Sequence, residues 1–388
     1  MAVAKSKRLS FWEDALLGCP GREVLRLLPG VALAGAIVFF SIWLADWINA
    51  SWGFKGVVSH IMVAIIVGIA VRNTVGLPSI ATPGVNFCVR KLLRLGIIAM
   101  GIRLSIFDAI RIGAWGIPIV VISIVTGLIV TTYFTRLLRL SDRLSTLIAV
   151  GTGICGASAI VATAPAIEAK DEEVTYAVAN ITIFGILAML LYPYLANFVF
   201  QGNLVMAGLF SGTSIHETAQ VTGAGLIYDQ IYKVTSRPSV ADVAVVTKLV
   251  RNVFMAIVIP LMAYIYARRI AREGKERSSR INALSLFPLF ILGFVAMAAI
   301  RSFGDASLQD SGQFLIWNAK QWQGSTSAIT YWSGNILAVA MAGVGLGTAF
   351  NTLRGLGIRP FYVGLFSAAM VGLSSVIIIL LLGPAVHF

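Results

Sequence analysis

Long apolar stretches recur along nearly the whole chain, and they limit its fold more than any other feature of the sequence. A stretch of about 20 apolar residues can cross a bilayer as a helix. These stretches are too long and too uniformly apolar for the alternating strands of a membrane β-barrel. Hydrophobic residues make up 58% and charged residues 12% of the chain, against about 25% charged residues in soluble globular proteins. The sequence therefore predicts an all-α polytopic membrane protein.

The apolar stretches leave a short polar extension at the start of the chain. Residues 1–26 are predicted to be a cytoplasmic extension without a cleavable signal peptide, and residues 27–388 to be the transmembrane domain. Within that domain we expect a core around 144–267, with 84–137 and 329–383 as repeat-related helices. Eleven apolar segments are predicted, near residues 27–48, 57–75, 84–106, 115–137, 144–168, 174–200, 203–225, 241–267, 284–302, 329–349 and 359–383.

Basic residues are concentrated beside the ends of the apolar segments, where the positive-inside rule places them. They precede the first segment and follow the fourth, the eighth and the tenth. If successive segments alternate in direction, these clusters lie on one side, so the N-terminus is predicted to be cytoplasmic and the C-terminus periplasmic. The same rule accounts for the net charge of +13. The bilayer is therefore the expected partner, and no nucleic-acid partner is expected.

Two apolar segments are interrupted by similar sequences rich in glycine and small polar residues. "GTGICGASAIV" spans Gly151–Val161 and "GTSIHETAQV" spans Gly212–Val221, at an offset of 61 residues (212 − 151). Such residues weaken a helix, and paired interruptions in corresponding halves of a membrane protein point to a transporter's binding site. Amide groups at a half-helix N-terminus suit an anion. Close helix packing through small residues is the alternative interpretation.

Ionisable side chains at membrane depth are candidates for function. His216 and Glu217 lie in the second interruption, and Lys248 and Arg251 are three residues apart on one helical face. From a segment start at residue 241 these two lie about 10–15 Å deep at 1.5 Å rise per residue. A cationic site for an anionic substrate is one interpretation. A structural ion pair of Glu217 with Lys248 or Arg251 is the other.

A second internal similarity relates residues 99–111 to residues 342–354 at an offset of 243 (342 − 99). The two copies lie in segments of opposite predicted direction, which indicates an inverted repeat of the kind that builds secondary transporters. The number of crossings is open. Eleven crossings result if both interrupted segments span the bilayer, and nine result if both are re-entrant hairpins.

From about Leu92 to its end, the chain resembles a family of conserved hypothetical bacterial inner-membrane proteins that is named for sulfate export. The resemblance is carried by "GTGICGASAIVATAPAI" (151–167), "SIHETAQVTGAG" (214–225) and "KLVRN" (248–252). Gly153 stands where the family more often has Ser, and Glu217 where Asp is common. The family is similar to the superfamily of bile-acid sodium symporters and cation/proton antiporters. The resemblance implies two crossing interrupted helices, an elevator-like mechanism, a homodimer and an inner-membrane location.

Residues and resemblance together predict a secondary transporter, an exporter, of a small anion such as sulfate, sulfite or a sulfonate. His216 and Glu217 are the candidates for coupling to H⁺ or Na⁺, since histidine titrates near neutral pH. No cofactor and no structural metal site are expected. The predicted substrate-binding residues are Gly151, Thr152, Gly153, Cys155, Gly156, Ser158, Thr213, Ser214, His216, Glu217, Gln220, Lys248 and Arg251.

Three other functions compete with an anion carrier. The first is a Na⁺- or H⁺-coupled symporter or antiporter of another substrate, with Glu217 and the carbonyl groups of the interrupted helices holding the cation. The second is an intramembrane enzyme with Cys155 as nucleophile and His216 as base, which we do not expect because no orienting group is evident. The third is a channel, which repeated broken helices favour less than alternating access.

Overall fold

The computed structural model of the chain describes residues 20–51, 58–271, 288–311, 313–350 and 358–383. Most of the predicted N-terminal extension and the basic residues from 272 to 280 lie outside the described residues. So do Arg354, Cys19 and the C-terminal residues 384–388. The predicted orientation of the two termini therefore stays a prediction.

The described residues form an almost entirely helical protein, which confirms the predicted all-α class. The exception is a two-stranded antiparallel hairpin of β1 (Gln313–Phe314) and β2 (Trp317–Asn318). The α-helices are α1 (Leu28–Ser51), α2 (His60–Thr74), α3 (Thr82–Phe87), α4 (Leu93–Met100), α5 (Ile106–Leu137), α6 (Asp142–Gly153), α7 (Ala157–Thr163), α8 (Asp171–Phe200), α9 (Leu204–Ser214), α10 (Thr218–Ile231), α11 (Val240–Val253), α12 (Met255–Ala271), α13 (Phe290–Ser311), α14 (Ala319–Gly347) and α15 (Ile358–Leu382).

The described parts of the predicted apolar segments overlap helices, but the number of eleven segments is not confirmed, because fewer helices qualify as complete membrane spans. Six described helices are long and apolar enough to cross a bilayer, and the count is seven if α11 and α12, bent by 42° at their junction, form one span. The third predicted segment is divided into α3, a π-helical turn at Cys88–Leu92 and α4. Neither eleven nor nine crossings is confirmed, and both stay predictions.

The chain divides into two compact units, and the smaller comprises Met1–Met100 with Ser327–Ala349. Its described core packs α1, α2 and α3 with the apolar face of α14 around Ala34, Cys88 and Ala342. Helices α1 and α3 approach closely at two glycines. A Cβ atom on Gly30 would lie 2.7 Å from the Cα atom of Gly84, so only glycine permits this contact between backbones.

The larger unit comprises Gly101–Thr326 with Phe350–Phe388 and contains both interrupted stretches. Helix α11 packs against α5, α9 and α10, while α15 packs against α5, α8 and α9. An aromatic stack of Phe134 on Phe366, with ring centroids 4.7 Å apart, joins α5 to α15. The larger unit thus surrounds α11, the helix that carries Lys248 and Arg251, with helices on several sides.

Candidate functional site

Both interrupted stretches are breaks between two short helices. The first break separates α6 from α7, and Gly156 begins α7 with φ of 70° and ψ of −132°. That conformation is essentially restricted to glycine, which explains why the sequence has glycine there. The second break separates α9 from α10 at Ile215, where the backbone is extended. The structure therefore confirms the interruptions predicted from the two similar stretches.

Arg251 links the two breaks through backbone carbonyl groups. Its Nε donates to the Gly153 carbonyl at 3.1 Å, and its Nη2 donates to the Thr152 carbonyl at 2.7 Å. From the same guanidinium, Nη1 donates to the Thr213 carbonyl at 2.7 Å and to the Ile215 carbonyl at 3.3 Å. The side chain has no exposed surface. One arginine thus satisfies carbonyl groups at the C-terminal ends of α6 and α9 together.

Lys248 makes the equivalent link one helical turn earlier. Its Nζ donates to the carbonyl oxygens of Ile154 and Ile215, both at 3.0 Å, and to that of His216. Three acceptors require three N–H groups, which the ammonium form has and the neutral amine lacks. Lys248 is fully buried, and its three acceptors match the donors of an ammonium at the negative ends of two helix dipoles.

We call this arrangement, the two breaks with Lys248 and Arg251, the double-break site. Its cations were predicted from their depth and spacing, and the structure places them together at both breaks. The predicted alternative was a direct ion pair between one of them and Glu217. Among the described residues both cations donate to carbonyl oxygens, and Glu217 accepts its hydrogen bonds from other groups.

Glu217 lies at the N-terminal ends of the helices that follow the breaks. Glu217 and Gln220 form the capping box of α10, and a Cβ atom on Gly156, just before α7, would lie 2.4 Å from Glu217 Cγ. The Thr182 hydroxyl lies 3.5 Å from Glu217 Oε1. The Glu217 carboxylate therefore lies beside the start of α7 around Gly156, where an external anion is predicted to bind.

Gln220 positions Glu217 and connects it to α8. Its Oε1 accepts from the Glu217 amide at 3.2 Å, and its Nε2 donates to the Thr182 carbonyl at 3.2 Å. The residue is fully buried. The structure thus gives Gln220, which was predicted to bind substrate, a role in holding the carboxylate.

Two polar atoms at the double-break site are buried without a hydrogen-bond partner among the described residues. They are Oγ1 of Thr152 and Nδ1 of His216, and both side chains are 1% exposed. The His216 imidazole is hydrogen-bonded to the backbone of Thr152, so the two residues are adjacent. Buried polar atoms without partners are uncommon and costly. Because these two also lie beside Lys248 and Arg251, they are candidate contacts for a polar ligand or water.

Other predicted site residues have hydroxyl groups that bond within their own helices. Thr213 Oγ1 donates to the Leu209 carbonyl at 2.7 Å, and Ser214 Oγ donates to the Phe210 carbonyl. Thr213 instead contributes its own carbonyl, which accepts from Arg251 and from the Ser123 hydroxyl at 2.9 Å. Their side chains support the break, and their predicted contact with substrate stays a prediction.

The remaining predicted residues of the first break serve packing or lie outward. Cys155 packs in an apolar cluster, with its Sγ 3.4 Å from Met255 Sδ. Gly151 lies against Ile160, and Gly153 against Leu128. Ser158 is exposed.

A second buried charge cluster lies at the start of α11, and it was not predicted from the sequence. Asp242 is 1% exposed and accepts from Arg237 at 3.0 Å, while Arg103 Nη1 lies 3.8 Å from its other oxygen. Asp229 accepts from the amides of Val240 and Ala241 and so ties the end of α10 to the start of α11. The capping box between Ser239 and Asp242 was the available signal.

Asp242→Asn should lower the stability of the protein, because it removes the charge that compensates the mostly buried Arg103. Breaking a buried ion pair costs about 3–5 kcal/mol. Glu23→Gln is the matched control, since the Arg26–Glu23 pair is exposed, and such pairs contribute about 0–1 kcal/mol. Thermal unfolding in detergent tests whether Asp242→Asn lowers the unfolding temperature more than Glu23→Gln does. Equal unfolding temperatures would show that the cluster does not stabilise the fold.

Comparison with known proteins identifies relatives along most of the chain. A family model described as "Conserved hypothetical protein 698" matches residues 29–364. A UPF0324 membrane protein of Bacillus cereus is 32% identical over 334 residues, which cover 85% of this chain and 89% of the relative. Proteins of the same name from Nitratidesulfovibrio vulgaris and Clostridium tetani are each 29% identical, covering 88% and 82% of this chain and 90% and 88% of the relatives. Together with the apolar helices, these matches make the chain a multi-pass membrane protein that belongs to the Conserved hypothetical protein 698 family.

Proposed function

We propose that the protein is a secondary transporter, an exporter, of a small anion, and that the double-break site binds this anion during alternating access. The observation that carries the proposal is an excess of buried positive charge. Two fully buried cations, Lys248 and Arg251, face one carboxylate, Glu217, which leaves a formal charge of +1 (2 − 1). If Glu217 takes up a proton, the excess grows.

The carbonyl groups do not remove this excess. They accept three hydrogen bonds from Lys248 and four from Arg251, but a carbonyl dipole carries no net charge. An unbalanced charge in a low-dielectric interior is expensive. A bound anion would neutralise it, so the site favours an anionic substrate over a neutral or cationic one.

The substrate's polar contacts would come from the groups left without partners. Thr152 Oγ1 can donate its proton to an anion oxygen, and His216 Nδ1 can do so when it carries a proton. The two residues lie close together, because the His216 imidazole is next to the backbone of Thr152. Small tetrahedral or pyramidal oxyanions match a site with few donors, and the resemblance described above favours sulfate, sulfite or a sulfonate among them.

Glu217 is the candidate for coupling in this proposal. Its carboxylate occupies the amide ends at which an anion would also be stabilised. A substrate anion and the ionised carboxylate therefore repel each other, and protonation of Glu217 would relieve that repulsion. Anion transport linked to proton movement follows.

A cation-coupled carrier of another substrate is the second candidate function. A partly buried carboxylate beside carbonyl-rich breaks favours it, since transporters hold Na⁺ with such carbonyl groups. The carbonyl groups of both breaks, however, already accept from Lys248 and Arg251. We therefore prefer the anion carrier, working as a homodimer in the bacterial inner membrane.

Binding of anions to the purified protein provides a test of the site. We expect sulfate, sulfite or taurine to raise the unfolding temperature at constant ionic strength more than chloride does, because a ligand that binds only the folded state stabilises it. Thr152→Val should reduce that stabilisation, with affinity lower by about tenfold for the loss of one hydrogen bond.

Thr131→Val is the matched control for this variant. Thr131 also has a buried hydroxyl without a partner among the described residues, but it lies on α5 and takes no part in the double-break site. The control should keep the full response to the anion. Equal responses in the two variants would remove Thr152 from the binding site, and no response to any of these anions in the wild type would contradict an anion site.

A further inference from the structure

We propose that Lys248 is a tethered cation that takes the place of a coupling Na⁺, so that the protein works without sodium. This inference rests on the proposed transport function, and it excludes Na⁺ as the coupling ion. It concerns the backbone carbonyl groups of the two breaks, whereas the anion is assigned to the side chains of Thr152 and His216.

The surroundings of the Lys248 ammonium have the chemistry of a site for a hard monovalent cation. Three backbone carbonyl oxygens converge on Nζ, from Ile154 in the first break and from Ile215 and His216 in the second. Carbonyl oxygens of unwound helices at membrane depth are the ligands that secondary transporters use for Na⁺. Here the chain supplies its own cation to these oxygens.

Arg251 makes exchange of that cation for Na⁺ still less favourable. Its guanidinium accounts for four further contacts with carbonyl groups of the same two breaks, and it shares the Ile215 oxygen with Lys248. A Na⁺ ion entering here would have to displace an ammonium while lying beside a guanidinium. Like charges at such short range in a low dielectric repel strongly.

The placement also explains why the cations are on α11 and not on the broken helices. Lys248 and Arg251 are three residues apart and so project from one face of α11, which packs against α9 and α10. A free ion can dissociate and let the two breaks separate. A covalently tethered ammonium instead donates to the carbonyl groups of both breaks in every step of the cycle. Coupling is then left to protons or to exchange of anions.

Thermal unfolding of the purified wild-type protein in NaCl and in choline chloride of equal concentration tests this inference directly. We expect equal unfolding temperatures, because the carbonyl oxygens of the two breaks already accept from Lys248 and Arg251. A saturable rise in Na⁺ would overturn the proposal, since a ligand of the folded state must stabilise it. The readout does not depend on transport, so it also holds if the proposed anion proves wrong.

Lys248→Ala gives the complementary result. Removing the ammonium leaves three converging carbonyl oxygens without their donor, so the variant should unfold at a lower temperature and should gain a stabilisation by Na⁺ that the wild type lacks. Lys233→Ala, which alters an exposed lysine, should show neither change. A folded Lys248→Ala protein that gains no response to Na⁺ would show that the three oxygens are not a cation site. If this variant does not fold, the comparison of salts in the wild type still decides.

Discussion

Arg251→Ala is expected to abolish transport and to lower the stability of the larger unit. The guanidinium makes four contacts with carbonyl groups of Thr152, Gly153, Thr213 and Ile215. Each buried acceptor that loses its partner costs about 1–3 kcal/mol. The two breaks would no longer be held together, and half of the buried positive charge would be lost.

Arg251→Lys separates the role of charge from that of geometry. Lysine keeps the charge but lacks the planar fork with five donors, so it should reach fewer of the four carbonyl groups. Compared with Arg251→Ala, this variant should regain more of the stability than of the transport activity. Arg301→Ala is the control, because Arg301 forms a half-exposed pair with Asp305 on α13, and such pairs contribute little. Transport and unfolding temperature of reconstituted variants are the readouts. Wild-type transport by Arg251→Ala would remove this residue from the mechanism.

Gly156→Ala should impair transport almost as strongly, although it adds a single methyl group. The residue has φ of 70° and ψ of −132°, a region that is costly for any residue with a Cβ atom. That Cβ atom would lie 2.4 Å from Glu217 Cγ. The substitution therefore has to displace the carboxylate from the start of α7 as well as strain the backbone.

Gly35→Ala is the matched control for that substitution. Gly35 lies within α1, and a Cβ atom there would meet no heavy atom within 4 Å. Alanine at a helical position is favoured over glycine by about 1 kcal/mol, so this variant should be as stable as the wild type or more so. Equal transport by Gly156→Ala and the wild type would mean that the position of Glu217 does not matter for function.

The sequence was sufficient to locate the double-break site but not to describe its contacts. Glycines and small polar residues in apolar segments predicted both breaks, because helix weakening is a local property. The depth and spacing of Lys248 and Arg251 predicted two cations on one buried face, because helical periodicity is local as well.

The partners of these charges depend on tertiary structure, and there the prediction differed. Which groups Lys248 contacts is decided by how α11 packs against α9 and α10 and by where the two breaks lie, and these are backbone carbonyl oxygens. Glu217 was predicted as a coupling residue, but its place at the start of α7 follows from the approach of one break to the other. The Asp242–Arg103 contact joins residues far apart in the sequence and was missed for the same reason.

Counterflow of radiolabelled sulfate into proteoliposomes is the most direct test of an anion carrier. Vesicles would be loaded with unlabelled sulfate, sulfite, taurine or chloride, in sodium-free buffer and over a range of pH. We expect the label to accumulate in vesicles that contain sulfate, sulfite or taurine, but not in vesicles that contain chloride. This accumulation should need no Na⁺, and it should be absent with the Arg251→Ala variant. Folded wild-type protein that shows no counterflow with any of these anions would contradict the proposed function, and a strict requirement for Na⁺ would favour the cation-coupled carrier.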